Sequence, residues 1–213
     1  MRFKSLFAAA WLLASSLTFA QQSGAVLDRI LAVVSGGLIL QSDVNAATRL
    51  GLVTVPEEGD RIQVALDRLI ERQLILLEVD RYAPPEPSGA EIDAALAELD
   101  KRIGSGVLLD AILRETGYTV PQLRLYMRDD LRIRAYVLQR FGASASPGDQ
   151  EVLEHYRAHI KDFTRDGVIR PFPEVRDDVR QALIAERRAM LVREWLANLR
   201  RRTEVNILYL PGR

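Results

Sequence analysis

The chain has 213 residues, 48% of them hydrophobic, which is enough to bury a packed core and excludes global disorder. Lys plus Arg and Asp plus Glu each number 29, so the basic excess that a polyanion binder needs is missing. Cysteine is absent, which excludes disulfide staples, thiol catalysis, cysteine-ligated metals and a lipidated amino-terminal cysteine.

Residues 1–20 read as a secretory signal peptide. Arg2 and Lys4 form a positive start, Leu6 to Phe19 is apolar, and Thr18-Phe19-Ala20 suits signal peptidase. The apolar run is shorter than the ~20 residues of a membrane helix, so no integral anchor is expected. Cleavage after Ala20 leaves 193 of the 213 residues, and removing Arg2 and Lys4 leaves 27 cations against 29 anions, a net charge of −2. An exported protein without disulfides points to the bacterial periplasm.

Arg29 to Gln41 holds two β-rich runs around Ser35-Gly36-Gly37, a hairpin signal. Ser42 is the expected N-cap of a first helix that Gly51 ends. Residues 52–60 read as a loop. From Asp60 to about Val79, residues Ile62, Leu66, Leu69, Ile70, Gln73, Leu76 and Leu77 make one face. Leu74 to Leu77 is apolar on every side, so that half of the helix is expected to be enclosed. Pro84, Pro85 and Pro87 stop it.

Ser88 and Glu91 form a capping box, and Ile92, Leu96, Leu99 and Ile103 follow as a stripe. A short helix then runs to Gly117. Thr119, Pro121 and Gln122 open a helix to about Phe141 with a stripe of Leu123, Met127, Leu131, Ala135 and Leu138. Ser146 to Asp149 opens another, expected to reach Phe163. Thr164 to Arg170 reads as a loop. The longest helix starts at Pro173 and runs to about Arg202, roughly 43 Å. Its apolar rows change side, from Val175, Val179 and Leu183 to Leu191, Trp195 and Leu199, so its two ends need different partners. Glu204 to Leu210 alternates as a strand. The fold class is therefore mostly α with a small β-sheet. A stable sheet needs at least three strands, so the amino-terminal hairpin and the final strand are expected to meet.

Three groups of segments, in this order, resemble the SurA-type family of periplasmic chaperones and peptidyl-prolyl isomerases. They are LDRILAVVSGGLILQSDV (27–44); ALDRLIERQLILLEVDR (65–81) with GYTVPQLRLYMRDDLRIRAYV (117–137); and EVLEHYRAHIKDF (151–163) with the helix and strand of 171–208. The resemblance implies a helical chaperone region over 21–163 and a closing helix and strand over 171–213 that complete the same domain. In that family a parvulin-type isomerase domain usually separates them. Here only the seven residues Thr164 to Arg170 do so, and a domain needs at least ~50.

The implied function is an ATP-independent chaperone for unfolded or nascent envelope and outer-membrane proteins, without cofactor and without isomerase activity. Alternatives are an adaptor subunit of an envelope complex and a residual isomerase. A domain-swapped homodimer that exchanges the closing helix is a further expectation. The aromatic and methionine side chains of the fifth helix region suit a peptide groove. Tyr118, Leu123, Tyr126, Met127, Ile133, Tyr136 and Val137 are its candidate residues.

Other constellations read as structural. His155 and His159 have the i, i+4 spacing of a metal pair but no third ligand. Asp129-Asp130 and Asp177-Asp178 are adjacent on helices and point apart, and nearby arginines make them salt-bridged faces. Ser35-Gly36-Gly37 lacks the lysine and following helix of a phosphate loop. Arg200-Arg201-Arg202 falls at a helix end, where cations oppose the dipole.

Overall fold

The structure is a computed structural model that describes residues 28–104, 106–165 and 167–210. The signal peptide expected at 1–20 lies outside the described residues. A hairpin of β1 (Ile30–Val34) and β2 (Gly37–Leu40) leads into α1 (Gln41–Arg49), α2 (Arg61–Tyr82), α3 (Gly89–Ile103), α4 (Gly106–Thr116), α5 (Val120–Phe141) and α6 (Asp149–Ala158). A 3-10 turn (Ile160–Phe163) and a small hairpin of β3 (Thr164–Arg165) and β4 (Val168–Ile169) follow. The chain ends with α7 (Phe172–Arg202) and β5 (Val205–Ile207).

The two ends of the chain form one sheet in the order β2-β1-β5, antiparallel throughout. Val34 pairs with Gly37 on one side and Val205 on the other. Ser35 and Gly36 both have positive φ, 47° and 84°, the two-residue turn whose twist matches a hairpin. The loop is thus one residue shorter than the Ser-Gly-Gly reading. Gly37 belongs to β2, and a Cβ there would stand 3.2 Å from the Gln73 amide nitrogen of α2. The glycine lets strand and helix approach.

Helix α2 is the axis of the main core. Leu66, Ile70 and Leu74 are almost fully buried against Leu31, Val34, Tyr136, Trp195 and Leu199. Each contributes about 1.5–3 kcal/mol through burial. A second core joins α1, α3, α4 and the start of α5 through Leu50, Leu99, Leu113, Leu123 and Met127. A third lies apart, between Val152 and Tyr156 of α6 and Val175, Val179 and Leu183 of α7. The two apolar rows of α7 thus serve two cores, as their change of side predicts. The short connection lets α7 return onto its own chain, where Trp195 and Leu199 cover α2. Glu78 of α2 is buried beside Arg202 at 2.9 Å and Arg81 at 3.3 Å.

Several boundaries differ from the sequence expectation. Ser42 is not the N-cap: β2 runs straight into α1, whose N-cap is Leu40. The Asp43 carboxylate accepts the Leu40 N–H at 2.8 Å, and Asp28 accepts the Ser42 N–H at 3.2 Å. The α5 stripe drifts after Met127. Ala135 and Leu138 are exposed, whereas Tyr136 and Arg132 are buried, Arg132 being ion-paired with Asp80 at 2.9 Å. The helix changes neighbours from α3 and α4 to α2 and α7. Helix α6 stops at Ala158, not Phe163. A continuous helix would place Phe163 about 10 Å along from Tyr156. The 3-10 turn draws the two rings to 5.9 Å, with Phe172 at 5.4 Å and the Tyr156 hydroxyl donating to the Arg170 carbonyl. The expected loop at 164–170 contains the β3–β4 hairpin, with Gly167 at φ 77° in its turn.

If β5 stabilises the sheet, deleting 205–213 leaves β1–β2 as an isolated pair. The deletion should lower the melting temperature of the whole fold. Fluorescence of Trp195, the one tryptophan outside the expected leader, reports it, and an unchanged transition would contradict it. A second expectation concerns acid. Hydrogen bonds from Arg180 and Arg176 hold the Asp149 carboxyl below its ordinary 3.8, and one from Arg187 holds Glu151 below 4.5. Depressed carboxyls stabilise the fold above their unfolded values, and that contribution is lost as pH falls through the folded ones. Amide exchange in α6 should therefore accelerate relative to α2 between about pH 6 and about pH 3. Equal protection of the α6–α7 contact at both pH values would refute the clamp.

Candidate functional site

The described surface is indented where α1, α2, α5 and β2 converge. The first cleft has a volume of about 260 Å³. Its walls come from Leu38 and Ile39 of β2, Asp43 of α1, Arg72, Gln73 and Leu76 of α2, and Tyr118, Leu125 and Tyr126 from the α5 region. Leu38 and Leu125 are exposed at its rim, 55% and 50%. A second cleft of about 370 Å³ adjoins it, lined by Ile75, Ile133, Leu196 and the other side of Tyr126.

Arg72 separates the two. Its guanidinium lies 3.9 Å over the Tyr126 ring and donates to the Tyr126 carbonyl at 2.7 Å. Its Nε is buried with no protein partner. A planar cation on an aromatic face holds both side chains in one geometry. The Tyr118 backbone N–H donates to the Leu113 carbonyl at 3.1 Å, so the end of α4 positions it.

Burial pushes the Tyr118 phenol up to about 12, and the Asp43 charge adds to this. Burial also raises Tyr126, against the opposing charge of Arg72. Asp43 itself is raised, chiefly by burial, with the Leu40 N–H opposing and Asp28 reinforcing. Both phenols stay protonated at neutral pH. They can donate and accept hydrogen bonds but are not poised as acids or bases. The cleft is therefore suited to binding: apolar walls, two phenols, the Gln73 amide, the Arg72 guanidinium and the carboxylates of Asp43 and Asp129.

The seven residues singled out in the sequence separate into groups. Tyr118 and Tyr126 line the first cleft, and Tyr126 and Ile133 the second. Leu123, Met127 and Tyr136 are core residues, 1%, 7% and 5% exposed, with no surface to offer a ligand. Tyr136 stacks on Tyr82 at 5.7 Å and meets Trp195 at 5.9 Å. Val137 is half-buried and lines neither cleft. Sequence reasoning missed Leu38, Asp43, Arg72, Gln73 and Leu125. One signal was visible: Gln73 stands inside an apolar stripe, where a polar side chain needs a reason.

His155 and His159 stack at 4.2 Å between ring centroids, with Glu186 3.7 Å from His155. Among the described residues no group of three His, Asp or Glu side chains is placed to hold a metal ion. No helix among them is long and apolar enough to cross a membrane.

The fold is similar to a solved structure from Campylobacter jejuni, where the virulence factor PEB4 and the periplasmic protein Cj1289 are two structurally related SurA-like chaperones. The TM-score is 0.52 at 12% identity, covering 85% of this chain and 99% of that one. At that identity the likeness establishes the fold alone. No family model and no curated protein matches the sequence.

The Tyr118 environment makes a spectroscopic prediction. In an ultraviolet titration of the six tyrosines, one should ionise only near pH 12, and Tyr118→Phe should remove that step. A curve unchanged by the substitution would mean that Tyr118 is not enclosed.

Proposed function

We propose that this protein is an ATP-independent periplasmic chaperone that holds extended apolar segments of unfolded envelope or outer-membrane proteins in the clefts beside α2. The observation that carries this reading is the pair of adjoining clefts with Leu38 and Leu125 open at the rim of the first. Apolar side chains left open beside a concave, tyrosine-lined surface form the kind of patch that marks a binding site. The fold shared with a SurA-like chaperone supports the same reading.

Outer-membrane strands alternate apolar and polar residues. Such a segment can place its apolar side chains in the clefts while its polar ones face water. Holding the unfolded chain lowers its free concentration, and aggregation slows by mass action. In this reading 21–163 and 171–213 form one module. The β3–β4 hairpin stands where the resemblance places an isomerase domain, so no isomerase activity is included.

The test is light scattering of an aggregating outer-membrane protein. Excess protein should suppress the signal. Leu38→Asp and Leu125→Asp, both at exposed positions, should weaken suppression with little change in melting temperature. No suppression by the unaltered protein would defeat the proposal. A proline-peptide assay should run at the spontaneous rate, and acceleration would restore the isomerase alternative.

A further inference from the structure

A third cleft, of about 610 Å³, lies between α2 and the middle of α7, where Val192 and Leu196 form the apolar wall. It shares Arg68, Glu71 and Leu196 with the second cleft. The second shares Leu52, Arg72 and Tyr126 with the first. The three are successive depressions of one track. Gln73 and Leu76 face the first, Ile75 the second and Leu74 the third. At 3.6 residues per turn these positions succeed one another around the helix, so the track passes around α2 and not along it. Two ridges divide it: Arg72 stacked on Tyr126, and Arg68 paired with Glu71 at 2.9 Å.

The charge changes sign along this track. The first cleft holds Asp43 and Asp129 against a single cation, Arg72. Asp129 is engaged by Arg128 at 2.7 Å, which leaves Asp43 as the acidic focus. The middle cleft is balanced, with Arg68 and Arg72 facing Glu71 and Asp130. The third holds Arg68, Arg193 and Arg200 against Glu71 alone. Arg200 reaches Asp67 at 3.3 Å, and Arg193 is exposed and makes no ion pair among the described residues.

We propose that the track selects an extended peptide segment with an apolar middle, a basic residue in the first cleft and an acidic residue in the third. This rests on the reading of the clefts as a client site and adds a polarity to it. Opposite charges at the two ends set which way the segment lies, because charge complementarity governs orientation and encounter more than affinity. Apolar side chains alone accept a chain laid either way. The preference is for charge polarity and not for chain direction, and its Arg193 end weakens with salt, since that guanidinium is exposed.

Three end-blocked peptides test it, all with one apolar centre: basic at one end and acidic at the other, basic at both ends, or acidic at both. Fluorescence anisotropy at low salt should rank the mixed peptide about fivefold tighter than either of the others. A photo-cross-linker beside its basic end should attach near Leu38 and Gln122, and one beside its acidic end near Val192 and Ala197. Arg193→Glu should remove the preference over the doubly basic peptide. Equal affinities with cross-links scattered over both ends overturn the polarity and leave client binding standing. Cross-links in the reverse arrangement also overturn it. If none of the three binds, the polarity and the client-site reading fall together.

Discussion

The return of the carboxyl-terminal segment to the amino-terminal hairpin is the contact on which the rest of this structure depends. A two-stranded hairpin is marginal in water, and β5 makes it a sheet. The same segment brings Trp195 and Leu199 onto α2 and sets Arg202 beside the buried Glu78. A buried carboxylate is costly to leave underpaired, and α7 adds Arg202 to the Arg81 that α2 itself supplies.

That closure explains why the joint between α6 and α7 can be short. The link is a surface hairpin with Val168 and Ile169 exposed, supported by its own small core around Tyr156 and Val179. The main core makes no demand on its length. Loop-closure entropy grows slowly with length, so a connection at this position can be long or brief without altering how α2 is covered.

Helix α2 serves the core and the clefts at once. Its buried face carries Leu66, Ile70 and Leu74, while Arg72 and Gln73 reach the cleft side of the same turns. The floor of the clefts is thus one of the most tightly held elements of the molecule. Only Leu38 and Leu125 at the rim stand far out from the packed surface.

The need of a hairpin for a third strand pointed to the meeting of the two chain ends. The sequence by itself also determined the mostly helical class, the hairpin and the starts of α2, α3 and α5. These follow from local chemistry: Asp60, Ser88 and Thr119 each accept a backbone N–H three residues on, whatever surrounds them. Only the tertiary structure decided which side of α5 is core and which is cleft. Leu123, Met127, Tyr136, Tyr118 and Tyr126 are alike as apolar or aromatic side chains, and periodicity cannot separate them when a helix changes partners midway. The same holds for Leu38 and Arg72. Leu38 lies within a β-rich run and Arg72 within a helix, and only the tertiary structure shows the leucine exposed and the arginine laid on Tyr126. Burial and exposure are properties of neighbours distant in the chain, and no local pattern encodes them.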